Sequence, residues 1–340
     1  MKVVIIYNDD ERFLSPGSPP EILSQPGTVE TAEAVEANLR EKGVTPVLLP
    51  LVDDLGGFIT ALKDEDHDII FNLCEGAFGL STLEMNVAAL LELLGVRFTG
   101  SGPITLGLCL NKAKAKEVLS ANGIPTPRFF VVNSPLTTHH SPISFPLIVK
   151  PLMEDGSLGI DEKAVVKDMT TLRERVAYIL KTYRQPALVE EYIEGREFNI
   201  SILGNGRPRV LPISEIDFLQ FPAGAPRICG YEAKWVPSSL FYIKTPPVCP
   251  APISKALEEE LSTVALRAYD ALGCRDYARV DIRMGEDGIC RVLEVNPNPD
   301  ISPDAGLPRS ARVAGMGYGE LILEIIRVTK DRYAINSQRS

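Results

Sequence analysis

The chain has 340 residues, 45% of them hydrophobic and 24% charged, with a formal charge of −10 and a mean hydropathy of +0.04. That length exceeds one simple core and suits two or three compact lobes, while the acidic balance excludes general nucleic-acid binding, which needs dense Lys and Arg. The sequence has no run of about 18 apolar residues, so no membrane-spanning helix is expected, and the apolar start Met1 to Tyr7 is too short for a signal peptide. Six cysteines without CxxC spacing read as reduced thiols of a cytoplasmic protein. Three histidines, His67, His139 and His140, supply a zinc or Ser-His-Asp mechanism poorly.

The first hundred residues alternate strand-like and helical stretches: strand 3–7, helix 29–42 ending at Gly43, strand 46–51, strand 68–73, and helix 83–94 ending at Gly95. Such alternation implies a parallel, doubly wound sheet of Rossmann type. Residues 9–27, rich in Asp, Ser, Pro and Gly, form a long loop after the first strand. The pattern then restarts, with a helix over 112–122 and strands over 128–132, 147–150 and around 164–167. A helix over 170–183 and a strand over 187–192 follow. The remainder reads as strands near 197–203 and 209–215, a Pro-rich passage over 217–252, a helix over 253–272, a hairpin over 277–296 and a helix over 318–329.

The hairpin is the most informative stretch. Tyr277 to Met284 alternates apolar Ala278, Val280 and Ile282 with Arg279, Asp281 and Arg283, so the two sets face opposite ways. A turn symmetric about Glu286-Asp287 pairs Arg279 with Glu294 and Asp281 with Val292. It leaves Glu294 diagonal to Asp281, with Asn296 on the same face. Two carboxylates and an amide oxygen are hard ligands of the kind Mg²⁺ prefers. The bland alternative is a solvated face with cross-strand salt bridges, but the cluster runs directly into Pro297-Asn298-Pro299-Asp300.

Arg279-Val280-Asp281, followed by Leu293-Glu294-Val295-Asn296-Pro297-Asn298-Pro299, resembles the metal-binding signature of ATP-grasp enzymes. Phe98 to Gly102, Asn111-Lys112, Leu147 to Pro151, Val189 to Ile193, Tyr231 to Lys234, Leu272 to Cys274 and Ala314 to Met316 resemble segments of the D-alanine–D-alanine ligase family, in that family's order. The resemblance implies an α/β (α+β lobes) ATP-grasp fold with an N-terminal Rossmann-like domain over 1–101. A central ATP-grasp domain with a Gly-rich flap would span 102–193, and a C-terminal domain with the metal and substrate site 194–340. It further implies a soluble ligase that joins a carboxylate to an amine through an acyl phosphate, using ATP and Mg²⁺, which Mn²⁺ can replace. A homodimer is implied as well.

By the same resemblance Lys112 and Lys150 reach ATP phosphates, Gly156 and Ser157 belong to the flap, and Glu190 accepts from the adenine amino group. The backbone of Glu191 and Ile193 would read the ring edge, and Glu197 would hold the ribose. Asp281, Glu294 and Asn296 are the implied metal ligands, while Arg279 and Lys234 stabilise developing negative charge. A compact ammonium at the end of the apolar strand 147–150 suits phosphate neutralisation on physical grounds alone. The pattern departs from the family at the amino-acid sites. Gly156 and Trp235 stand where hydroxyl side chains are expected, Ala305 replaces a Ser beside Gly306, and Asp300 replaces a Gly. No Glu in the Tyr7 to Glu11 stretch is a secure counterpart of the family's N-terminal one. Glu75, Glu84, Asp304 and the cluster Asp9-Asp10-Glu11 are candidates for attracting an amine. The expectation is a ligase of this family with different substrates. The alternatives are an authentic D-alanine–D-alanine ligase with a rearranged site, a non-catalytic nucleotide binder, and a phosphotransferase on the same fold.

Overall fold

The computed structural model describes residues 1–10, 28–136 and 140–337; Glu11, the rest of the expected loop to residue 27, and His139 lie outside the described residues. The first sheet comprises β1 (Lys2–Asn8), β2 (Thr45–Leu51) and β3 (Ile69–Asn72), all parallel in the order β2-β1-β3. β1 is buried on both faces, which is why Val3 to Ile6 is an unbroken apolar run. Val3 and Ile5 pack with Ala32, Val35 and Leu39 of α1 (Thr28–Glu41). Val4 and Ile6 pack with Phe58 and Leu62 of α2 (Leu55–Asp64) and with Val87 and Leu91 of α3 (Glu84–Leu93). The sheet is doubly wound, as the strand–helix alternation implies.

Helices α4 (Pro103–Leu110) and α5 (Lys112–Ala121) lead to an antiparallel second sheet, β4 (Phe129–Val132), β5 (Leu147–Pro151), β6 (Val165–Val166) and β7 (Ala187–Glu191), in the order β4-β7-β5-β6. One face is apolar: Val149 and Val189 pack under Leu172, Val176 and Ile179 of α6 (Met169–Thr182). The alternating positions Lys150 and Glu190 therefore share the opposite face.

The third sheet runs β11-β10-β8-β12-β13, with β9 paired to β8. Its strands are β8 (Gly195–Leu203), β9 (Arg209–Val210), β10 (Ser214–Ile216), β11 (Pro247–Val248), β12 (Tyr277–Gly285) and β13 (Cys290–Asn296). The expected strand over 209–215 is thus two strands. The Pro-rich passage is not irregular throughout, since it holds β11 and two short helices, α7 (Tyr231–Trp235) and α8 (Leu240–Ile243). Phe198, Ile200, Ile202, Val280 and Ile282 pack under Leu261, Ala265 and Ala268 of α9 (Lys255–Ala271). Glu197, Asn199, Arg279, Asp281 and Arg283 consequently face away from that core.

Two further helices close the chain, α10 (Gly306–Val313) and α11 (Tyr318–Ser337), the latter running past the expected end at residue 329. Leu321, Ile322 and Ile325 of α11 join the cluster of Val3, Ile5 and Phe71, so the C-terminal helix packs on the first sheet. A buried anion fastens this junction. Asp276 is fully buried and accepts from both Arg332 Nε and Nη2 (2.9 and 2.8 Å), Thr329 Oγ1 (2.9 Å), Asn205 Nδ2 (2.8 Å) and the Gly100 N–H (2.9 Å). Removing one partner of a buried ion pair strands the other. Asp276→Ala is expected to lower the unfolding free energy by about 3–5 kcal/mol, read as a fall in denaturant midpoint. A change below about 1 kcal/mol would show that Arg332 finds other partners.

Candidate active site

Between the polar faces of the second and third sheets lies a cleft of about 1330 Å³, lined by Lys150 and Glu190 on one side and Glu197, Asn199, Arg279, Asp281, Glu294 and Asn296 on the other. This exceeds the usual 300–1,000 Å³ of a small-ligand pocket, leaving room for a nucleotide and further small molecules.

The hairpin reaches the cleft in a register different from the expected one. Its turn, beyond the pair Met284–Cys290, is centred on Asp287: Ile289 N–H donates to Asp287 Oδ1 (3.1 Å), Arg291 holds the Asp287 carboxylate, and Gly288 takes φ 73°, a left-handed conformation suited to glycine. A β-bulge then adds Leu293, so the pairing moves from Ile282–Val292 to Asp281–Glu294 and Arg279–Asn296. The expected pairs Arg279–Glu294 and Asp281–Val292 are not formed. The same-face grouping of Arg279, Asp281, Glu294 and Asn296 holds, but the two carboxylates stand directly opposite each other. Like charges so placed repel, and the surroundings answer with cations.

Arg279 grips Asp281 through Nε and Nη2 (2.8 and 2.9 Å), while Asn199 and Asn296 donate their side-chain amides to the same carboxylate (2.8 and 3.2 Å). Lys112 Nζ lies 3.9 Å from Glu294 and 3.1 Å from Asp155, and donates to the Glu154 carbonyl. Burial alone would raise the pKa of Glu294, but Lys112, Lys234, Lys150 and Arg279 hold it down to about 2. Burial likewise opposes charge on Lys112, yet Asp155 and Glu294 leave its pKa raised. Lys150 is 6% exposed and ion-paired with Glu190 Oε1. Glu197 Oε2 accepts from Arg283 (2.8 Å), whose guanidinium also donates to the carbonyls of Ile193 (3.2 Å) and Arg227 (2.6 Å). The Glu191 N–H donates to the Arg128 carbonyl (2.9 Å), so two of the hinge groups expected at the ring edge already serve the protein. Asp281, Glu294 and Asn296 bring together the oxygen atoms that would hold a hard divalent ion, and the cations around them suit anionic phosphate groups.

The flap over 154–159 is docked against the passage 228–235. Gly156 and Ser157 both have positive φ, 62° and 63°. Ser157 Oγ donates to the Cys229 carbonyl (2.8 Å) and Trp235 Nε1 to the Gly156 carbonyl (2.7 Å), while Tyr231 N–H donates to the Ile160 carbonyl (2.9 Å). At Gly230 a Cβ would sit 2.6 Å from the Ile160 carbonyl oxygen, so only glycine permits this approach. The indole of Trp235 thus links the flap to this passage through a backbone acceptor.

A family model described as D-ala D-ala ligase C-terminus matches residues 118–327, more than half of the chain. The chain belongs to the D-alanine–D-alanine ligase family. Protein y4sG of Sinorhizobium fredii is 36% identical over 265 residues, 78% of this chain and 75% of that protein. A D-alanine–D-alanine ligase of Pseudothermotoga lettingae is 30% identical over 303 residues, 89% of this chain and 94% of its own length. The crystal structure of the Bacillus anthracis D-alanine–D-alanine ligase complexed with ATP matches with a TM-score of 0.74 at 25% identity, covering 98% of this chain and 99% of that one. The fold is therefore ATP-grasp, and this member of the D-alanine–D-alanine ligase family is an ATP-dependent ligase joining a carboxylate to an amine.

At the far end of the ligase cleft, Glu75, Glu84, Asp300, Asp304, Ala305 and Gly306 share one lining with Asp9, Asp10, Lys234 and Trp235. Asp10 accepts from the Gly79 N–H (2.9 Å), and Asp300 from the Ser302 N–H and hydroxyl (2.7 and 3.1 Å). Glu75 is open to cleft water, yet enclosure by protein and the nearby Asp300 and Asp155 raise its pKa to about 8. Sequence reasoning missed Lys116, Asn199, Asp155 and Asn298. Lys116 follows Lys112 by one helical turn, and Asn199 alternates with Phe198 and Ile200, so both signals were present. Asn298 joins the hairpin exit to the first lobe: it accepts from Tyr277 (3.0 Å) and donates to the Cys74 carbonyl (3.1 Å) and to Glu84 (3.0 Å).

Burial raises the Glu84 pKa from 4.5 to about 8, against the lowering pull of the Asn298 amide. Between those values the folded ligase keeps a proton that the unfolded chain has released, so the stability this acid contributes is full below about 4.5 and fades as pH rises towards 8. Glu84→Gln, neutral throughout, is expected to gain on the wild type by about 3 kcal/mol between pH 5 and 8. Melting temperatures at the two pH values decide it, and a constant difference would show that Glu84 titrates normally.

Proposed function

We propose that the chain is an ATP- and Mg²⁺-dependent, ADP-forming carboxylate–amine ligase whose substrates are not two D-alanine molecules. The observation that carries this reading is the setting of Glu294 and Asp281: two opposed carboxylates enclosed by Lys112, Lys150, Lys234 and Arg279, delivered from five separate elements. In this reading a substrate carboxylate attacks the γ-phosphorus of ATP, ADP leaves, and the amine displaces phosphate from the acyl phosphate to form the amide. Asp281, Glu294 and Asn296 would hold Mg²⁺, which screens charge on the phosphate oxygens when bound. Lys112 and Lys150 would meet phosphates, Glu190 and the hinge at Glu191 and Ile193 the adenine, and Glu197 the ribose. Arg279 and Lys234 would steady the charge that develops in transfer.

Two features support other substrates. The flap position Gly156 and its partner Trp235 carry no hydroxyl for an amino acid, and the indole N–H of Trp235 is already given to the Gly156 carbonyl. Asp300 brings a fixed carboxylate beside Arg279 and Glu75, where it favours an amine or cationic group and opposes an acceptor carboxylate. Free thiols at all six cysteines support a cytoplasmic setting.

Phosphate release should require Mg²⁺ and both a carboxylate and an amine. Asp281→Asn and Glu294→Gln are expected to cut turnover roughly a hundredfold or more with the fold intact; near-normal rates in both would remove the metal assignment. Saturating D-alanine alone should give phosphate release at least tenfold below the best pair in a panel of larger amino acids and carboxylates, because each lost hydrogen bond to a buried substrate group costs about 1–3 kcal/mol. Efficient D-alanyl-D-alanine synthesis with a silent panel would establish the authentic D-alanine–D-alanine ligase instead. ATP consumption with a single substrate and no amide would establish the phosphotransferase.

A further inference from the structure

Lys116 has no place in that reading, yet it is among the largest fully buried side chains of the molecule, 1% exposed. Its Nζ lies 2.9 Å from Glu190 Oε2 and donates to Thr126 Oγ1 (2.8 Å). Thr126 Oγ1 donates in turn to the Val292 carbonyl (2.8 Å), and the Val292 N–H donates to the Pro125 carbonyl (2.8 Å). Val292 immediately precedes the bulged Leu293 and Glu294. The other oxygen of Glu190 is held by Lys150. Two ammonium groups thus share one buried carboxylate, and only Lys150 of the two lines the cleft.

A buried lysine is costly to keep charged, and burial pushes the pKa of Lys116 down to about 8 against the attraction of Glu190. An apolar residue of similar length would fill the same space without that cost, so the charge itself has a task. A nucleotide arriving in the cleft would compete with Glu190 for Lys150. If Lys150 were the sole cation beside Glu190, moving it to a phosphate would leave a buried carboxylate unpaired. With Lys116 on Oε2 the carboxylate stays neutralised and fixed while Lys150 turns to the ligand.

We propose that Lys116 is a positioning residue for nucleotide binding: it holds Glu190 in place, frees Lys150 for the phosphates, and through Thr126 ties both to the strand that carries Glu294. The proposal rests on the reading that the cleft binds ATP. Lys116 does not touch the nucleotide and acts through Glu190 and Lys150.

Calorimetric titration with ATP and Mg²⁺, without amino-acid substrates, tests it on the full chain. The wild type is compared with K116M, E190Q and K116M/E190Q, each checked for native circular dichroism. K116M should weaken ATP binding about tenfold or more, the scale of one charge-assisted contact. K116M should cost much less in the E190Q background, where the adenine contact is altered in both proteins and no carboxylate charge holds Lys150 back. A lysine that only fills space would show no such difference, its loss costing the same in both backgrounds. Should K116M not fold, K116Q, which keeps hydrogen bonds but no charge, takes its place in both arms. Unchanged affinity in the Lys116 variant, or equal loss with and without E190Q, overturns the inference while ATP binding by the wild type still stands. Absence of ATP binding by the wild type overturns the nucleotide reading and the inference with it.

Discussion

One extra residue in a hairpin strand sets the terms for the whole site. Because Leu293 is bulged out, Asp281 faces Glu294 across the strand pair rather than Leu293. Two carboxylates so placed on one face of a buried ribbon are stable only among cations and amide donors. The fold supplies them from outside the third sheet: Lys112 from the start of α5, Lys150 from the end of β5 and Lys234 from α7. Arg279, Asn199 and Asn296 come from the sheet itself. The attraction that offsets the carboxylate repulsion also draws the second sheet towards the third, so the cleft walls are aligned by the charges that line them. Such groups are oriented before any ligand arrives, and oriented charge is what phosphoryl transfer asks of a protein.

The same constraint explains why the hairpin must not shift. A slip of one residue would turn Asp281 and Glu294 into the core packed under α9. Three contacts outside the strand pair oppose that slip. Asp276, just before β12, is bound by α11, by Asn205 and by Gly100 of the first lobe. Asn298, just after β13, is bound to Tyr277, Glu84 and the Cys74 carbonyl. Between them, Pro125 and Thr126 pair with both backbone groups of Val292 at the bulge. The face that carries Asp281 and Glu294 is thus pinned at its entry, its middle and its exit.

Much of this was legible in the sequence, because period-two alternation and strand–helix order are local signals. β1, the helix pair around it, Lys150 at a strand end and the polar face of β12 follow from apolar spacing alone. Five of the described helices were not legible, two of them the short α7 and α8 of the Pro-rich passage. α2 begins Leu55-Gly56-Gly57, which reads as a loop until Asp54 is seen to cap it by accepting from the Gly57 N–H. α4 and α10 are short and contain Pro103 with Gly107, and Gly306 with Pro308, residues that normally break a pattern. The hairpin register was missed because a bulge leaves no mark in alternation read from one strand. The partners of Glu190 were missed because Lys116 lies 74 residues away, and only the sheet and helix packing brings them together. Local physics fixes which face a residue takes; the identity of its partner across a cleft depends on the tertiary path.

The two ends of the cleft obey different rules. At the charged end the buried carboxylates are paired, Glu190 with Lys150 and Lys116 and Asp281 with Arg279, so a single substitution there strands a buried ion and is costly. At the substrate end the links use backbone atoms: Trp235 bonds to the Gly156 carbonyl, Ser157 to the Cys229 carbonyl, and Asp300 to the Ser302 N–H. A backbone acceptor is present whatever side chain occupies the position. The flap therefore docks without a side chain at residue 156. Docking of the flap is thus independent of the side chain at 156, whereas the charged end depends on the identity of its side chains.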